Sequence, residues 1–133
     1  MNQQRLTQAS GLYIIEDNDR GRGVACLNDI SSGSTIELCP TIQLNPKDTK
    51  TIHQTHLHDY YFLWDIEART SAIALGYGSL YNHSKEPNCD YQLNDDTLEI
   101  HFFAIKDIPA GEEILINYQT LETTDDKLWF DES

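Results

Sequence analysis

Apolar and polar positions alternate along much of the chain in short stretches rich in Val, Ile, Tyr and Phe. Such runs fall at residues 12–16, 24–27, 35–38, 60–64, 72–75, 89–93, 98–105 and 113–118, each of a length suited to one strand. Turn-forming segments such as Asn18-Asp19-Arg20-Gly21 and Ile108-Pro109-Ala110-Gly111 separate them. One helix is predicted: Asn45 caps it, Pro46 takes the first helical position, and 47–54 continues without a breaker. A second, short helix is expected from Thr123 or Thr124, carrying Leu128, Trp129 and Phe130. No internal repeat or linker stands out. This pattern predicts a mainly β fold of several small sheets with few short helices.

Composition narrows the picture. The 133 residues, 39% of them apolar, suit one domain spanning 1–133. Nine Lys and Arg against 22 Asp and Glu give a net charge of −13, which excludes direct nucleic-acid binding through a broad basic surface. Basic proteins become the electrostatically favoured partners, although acidity also simply aids solubility. Cys26, Cys39 and Cys89 are widely spaced and form no C-x-x-C pair, so neither a disulfide framework nor a thiolate zinc site is indicated. The N-terminus lacks the apolar stretch of a signal peptide, and no run is long enough to span a bilayer. An intracellular, cytoplasmic location is expected, nuclear in a eukaryote, with no membrane partner.

Several segments concentrate polar chemistry. Gly21-Arg22-Gly23 follows a strand, and its glycines allow a ligand to approach the backbone, though on this signal alone a plain turn between strands is the commoner explanation. Cys26 stands where a dinucleotide fingerprint needs its next glycine, so a Rossmann site is not indicated. His53, His56 and His58 form an H-x-x-H-x-H cluster, but their side chains are expected to point apart into solvent, so no metal site is assigned. Asn82-His83-Ser84, followed by Pro87-Asn88-Cys89 and Tyr91, packs hydrogen-bonding groups into a turn-rich stretch. Ile108-Pro109-Ala110-Gly111-Glu112-Glu113 then leads into Ile114-Leu115-Ile116-Asn117-Tyr118. The chain is rich in tyrosine, and buried phenols need partners.

In this order the segments resemble the SET-domain protein-lysine methyltransferases. The likeness runs from Gly21-Arg22-Gly23-Val24 through Asp29-Ile30-Ser31-Ser32-Gly33 and the N-H-S-x-x-P-N-C block at 82–89 to the A-G-E-E-I-x-I-N-Y block at 110–118, covering about residues 10–120. It implies a β-clip-like fold with a threaded C-terminal segment. It also implies S-adenosylmethionine as cofactor, leaving as S-adenosylhomocysteine, with no metal. By that likeness the backbone at Arg22, Gly23 and Val24 holds the cofactor's methionine end, while Asn82 and His83 contact its amino group and adenine. Tyr118 matches the catalytic tyrosine. Tyr60 matches the tyrosine of a Y-x-F-x-x-D segment, and with Phe62, Tyr91 and Ile116 it lines the expected lysine channel.

The implied chemistry makes physical sense of these residue types. A lysine amine with a reference pKa near 10.4 is neutral in only about 1 in 2,500 molecules at pH 7, a deficit of about 4.6 kcal/mol. Burial in an aromatic channel beside a cationic sulfonium disfavours the ammonium, and tyrosine hydroxyls orient the neutral amine. Negative charge is therefore expected at the channel's entrance rather than inside it.

The sequence also departs from the family. Lys85 stands where many members carry a zinc-binding cysteine, and no cysteine follows Cys89. The acidic tail 121–133 is then expected to close the site, with Trp129, or Phe130, covering the cofactor. Glu37-Leu38-Cys39-Pro40 replaces the usual E-Y-x-G-E stretch and changes the wall near the substrate groove. With no large flanking domain, specificity is expected from the groove or from a homodimer. The reading is an S-adenosylmethionine-dependent enzyme that methylates a lysine of a basic histone-like, nucleoid or ribosomal protein. The alternatives are a catalytically silent module that binds cofactor or basic peptide, and an acidic decoy acting through charge alone.

Overall fold

A computed structural model describes residues 5–17 and 21–117. Among these residues ten strands form one six-stranded sheet and two small two-stranded sheets, the mainly β architecture the pattern predicts. In chain order they are β1 (Thr7–Gln8), β2 (Leu12–Asp17), β3 (Gly21–Cys26), β4 (Thr35–Leu44), β5 (Tyr61–Asp65), β6 (Thr70–Ala74), β7 (Asn82–His83), β8 (Cys89–Asn94), β9 (Glu99–Ala104) and β10 (Leu115–Ile116). The large sheet runs β5-β6-β4-β9-β8, with β1 added to β4. Although β5 and β8 stand at opposite ends of that order, the Phe62 and Tyr91 ring centroids are 5.1 Å apart. Trp64 Nε1 also donates to Asp95 Oδ1 at 2.7 Å. The sheet therefore curls until its two ends meet, and Ile36, Cys39, Phe62, Ile100 and Phe102 fill the interior.

Strand β4 runs six residues beyond the expected 35–38. Proline normally ends a central strand because it lacks an N–H to donate. Here Pro40 falls where β4 changes neighbours, after the pairing with β1 ends at Leu38 and before that with β6 begins at Thr41, so the missing donor interrupts no ladder on that edge. The predicted helix forms as α1 (Pro46–His53), with Asn45 Oδ1 accepting from the Asp48 N–H at 2.8 Å. Thr49 is fully buried and bonds Ser71 Oγ at 2.7 Å, seating the helix on β6. Among the described residues no helix is long and apolar enough to cross a membrane. The helix expected from Thr123 or Thr124 lies outside the described residues.

Two D-I-x-x-G pentapeptides, not singled out as a repeat in the sequence, pair with each other. Ile30 and Ile108 exchange both backbone hydrogen bonds. Asp29 Oδ1 accepts from the Ala110 N–H and Asp107 Oδ1 from the Ser32 N–H, each at 2.8 Å. Both end in a glycine with positive φ, Gly33 at 87° and Gly111 at 91°, a conformation that favours glycine. This clasp aims the chain after Gly111 into the site. There 112–117 runs between β3, through Cys26 N–H to Glu112 O and Ile114 N–H to Val24 O, and β7, with which β10 pairs in parallel. That is the threaded segment the resemblance implies.

Candidate active site

Four residues identified from separate stretches of sequence come together. Arg22 from β3, Tyr60, and Asn82 and His83 from β7 wall a cavity of about 350 Å³, completed by Asp59, Ser79, Leu80 and Tyr81. That volume lies at the small end of the range for small-molecule sites. A larger hollow of about 810 Å³ lies around Leu38, Gln92 and His101, and contains none of the expected site residues. The smaller cavity is therefore the candidate site.

Local structure explains how each wall residue gets there. Gly21-Arg22-Gly23 forms the start of β3 rather than a turn, so Arg22 is exposed at the strand's beginning while Gly23 and Val24 are buried. A short 3-10 turn, His56–Asp59, is capped by Thr55 and delivers Asp59 and Tyr60 to the cavity. Asp59 is the only carboxylate in the wall among the described residues; its side chain is 76% exposed and lies 3.0 Å from His58 Nε2. The three histidines gather no metal-ligating group among the described residues. The expectation that they point apart holds only in part: His53 and His58 stack at 5.1 Å, and His53 Nδ1 lies 2.8 Å from the Tyr61 hydroxyl.

Asn88 locks the threaded segment to this wall. It is 5% exposed, accepts from the Leu115 N–H at 2.8 Å, and donates to Glu113 O at 2.9 Å. Glu113 in turn accepts from Asn82 Nδ2 at 2.6 Å. Both sit on the face of Gly23, where a Cβ would run into the Glu113 carboxylate and come within 2.6 Å of Asn82 Nδ2. Close approach of side chains, as well as room for a ligand, thus requires glycine at this position.

Phe62, Tyr91 and Ile116 belong to the interior cluster and do not line the cavity. Phe62 packs edge-on against both Tyr91 and Phe102. Tyr118 and Trp129, like Phe130, lie outside the described residues.

The wall also has a support that sequence reading did not single out as one. Glu37 is fully buried, accepts from the Tyr77 N–H at 3.0 Å and from Gln8 Nε2 at 2.7 Å, and takes a hydrogen bond from the Tyr81 hydroxyl. It ties β1 and β4 to the residues just before Asn82. Burial, and secondarily the Glu37 charge, push the Tyr81 phenol far above its usual range, so it stays a donor. Glu37 stands in the segment already noted as unusual, and three or more donors are what a buried carboxyl needs.

Comparisons with known proteins establish the family and the fold. The SET domain family model matches residues 21–119. A histone-lysine N-methyltransferase of Schizosaccharomyces pombe, H3 lysine-37 specific, is 30% identical over 124 residues, 92% of this chain and 79% of that protein. The Mus musculus protein-lysine N-trimethyltransferase SMYD5 is 29% identical over 112 residues, 79% of this chain but 25% of its own length. The Neurospora SET domain protein DIM-5, a histone lysine methyltransferase, shares the fold with a TM-score of 0.65 at 21% identity, over 85% of this chain and 54% of that one. The chain belongs to the SET-domain family and is an S-adenosylmethionine-dependent protein-lysine methyltransferase.

Proposed function

We propose that this chain methylates a lysine of a basic, histone-like protein, and that the cavity walled by Arg22, Tyr60, Asn82 and His83 holds the cofactor. The observation that carries the reading is the convergence of these four residues on one cavity. Its walls suit S-adenosylmethionine. Arg22 brings a cation suited to the carboxylate at the cofactor's methionine end. Asn82 is half-buried, and among the described residues no donor reaches its Oδ1, which leaves an acceptor for an ammonium. His83 offers a flat ring for adenine. When bound, the cofactor supplies an electrophilic methyl group on a cationic sulfur.

The residues of the chain supply the rest. Tyr60, 37% exposed at the cavity wall, by the family likeness hydrogen-bonds the entering amine and orients its lone pair. Tyr118, by the family likeness, is the second hydroxyl at the reacting centre. Burial of the amine beside the cationic sulfonium favours loss of its proton. The negative charge of the chain raises the local concentration of basic substrates.

The test is mass spectrometry of methyl transfer to a panel of histone, ribosomal and nucleoid proteins, with wild type and Tyr118→Phe. Lysine mass increments of one methyl unit are expected, reduced about 100-fold or more in the variant, the usual cost of removing one preorganised transition-state group. Cofactor binding without modification of any lysine in this panel would overturn the proposed substrate class.

A further inference from the structure

Gly23, Asn82 and Glu113 come from three distant segments and meet beside the cavity. The Glu113 backbone is held from both sides. It bridges Ala25 of β3, and its carbonyl accepts from Asn88 Nδ2 at 2.9 Å. Its carboxylate therefore reaches Asn82 from a fixed base, and Oε2 accepts from Asn82 Nδ2 at 2.6 Å.

The two ends of an asparagine amide are alike in shape and opposite in chemistry. An ionised carboxylate only accepts, so the end of Asn82 that meets Glu113 must be the NH₂ group. The other end, Oδ1, is then the acceptor left over, on a residue that walls the cavity. We propose that Glu113 is a positioning residue: it fixes the Asn82 amide so that Oδ1 is reserved for the α-ammonium at the amino-acid end of S-adenosylmethionine. This rests on the reading of the cavity as the cofactor site. Without Glu113 the amide can turn over and present NH₂ to a cationic group, an arrangement that repels it.

The test is calorimetric binding of two probes, S-adenosylhomocysteine and 5′-methylthioadenosine, the second of which lacks the amino-acid end. Glu113→Ala is expected to weaken S-adenosylhomocysteine about tenfold, the scale of one hydrogen bond to a charged group, and to change 5′-methylthioadenosine less than about twofold. Glu113→Gln keeps an acceptor oxygen while removing the charge, and is expected to restore most of the affinity. In an Asn82→Ala background the Glu113→Ala effect is expected to vanish. Equal losses for both probes would overturn the proposal in favour of general disruption of the cavity. Glu113→Gln as weak as Glu113→Ala would overturn it in favour of a direct charge effect. If wild type binds neither probe, the cofactor-site reading falls and the inference with it. If wild type binds both and Glu113→Ala changes nothing, only the inference falls.

Discussion

Strand β9 pairs with β8 over six residue positions and with β4 over five, whereas β7 and β10 pair over two. The sheet holds itself together by repetition: every second side chain of β9 is buried, so no single backbone bond matters much. The junction of β3, β7 and β10 has no such repetition. Asn88, Glu113 and a glycine face at position 23 hold it, each through a particular pair of atoms. Stability is thus concentrated in the sheet and function in the junction, and substitutions should separate the two.

The largest expected loss of stability is in the sheet. Phe102 is fully buried against Phe62, Tyr81 and Tyr91, and Phe102→Ala is expected to cost about 3–5 kcal/mol in denaturant unfolding, a large share of a typical domain's stability. Asn88→Ala leaves the Leu115 N–H and the Glu113 carbonyl without their partner and is expected to cost about 2–4 kcal/mol. The comparison turns on activity per folded molecule. It should fall modestly in any folded Phe102→Ala protein, which loses packing behind the wall residue Tyr81, and far more in Asn88→Ala, because the latter frees the segment that carries Glu113 toward Asn82. Equal specific activities would show that the junction does not depend on Asn88.

Alkaline pH probes the sheet from another direction. Burial pushes the Cys89 thiol up to about 12 from 9.0, and raises Cys39 further still. Between those values the unfolded chain has lost the thiol proton and the folded chain keeps it, so the unfolded state binds fewer protons and stability falls as pH rises. Each such thiol contributes a slope of about 1.4 kcal/mol per pH unit above pH 9. Replacing Cys89 by alanine should lower stability at pH 7 yet flatten this slope by about that amount, as read from denaturation midpoints between pH 8 and 11. An unchanged slope would mean that Cys89 titrates alike in both states.

The same division explains what the sequence made legible. Strands β2, β8 and β9 and helix α1 were readable because their signals are local: alternation, a capping asparagine, a proline at the first turn. The end of β4 was not, since whether Pro40 breaks a strand depends on which neighbour stands at that edge. Arg22, Asn82 and His83 lay in segments that stood out for their polar chemistry, while their roles, and Tyr60 as a candidate, were readable only through the family likeness; their meeting at one cavity is a long-range fact. Glu113 and Glu37 were on the page as letters, but a carboxylate's task is set by the donor it meets, 31 residues away at Asn82 and 44 at Tyr81. No periodicity encodes such pairs.

The smallest expected effect sharpens the contrast, because α1 stands between the two regions. Asn45→Ala removes the side-chain cap on the Asp48 N–H, at an expected cost of about 1 kcal/mol. The Asn45 carbonyl survives the substitution and still accepts from the Thr49 N–H and hydroxyl, and Thr49 still bonds Ser71 in β6. The helix should therefore stay docked and keep the 3-10 turn that delivers Asp59 and Tyr60 in place. Thermal unfolding should shift down by a few degrees, about 3–5 °C, with kcat/KM for methyl transfer within about twofold of wild type. A larger loss of kcat/KM at unchanged folded fraction would mean that the start of α1 sets the position of Tyr60, and the boundary between the stabilising and functional regions would then have to be drawn through the helix rather than beyond it.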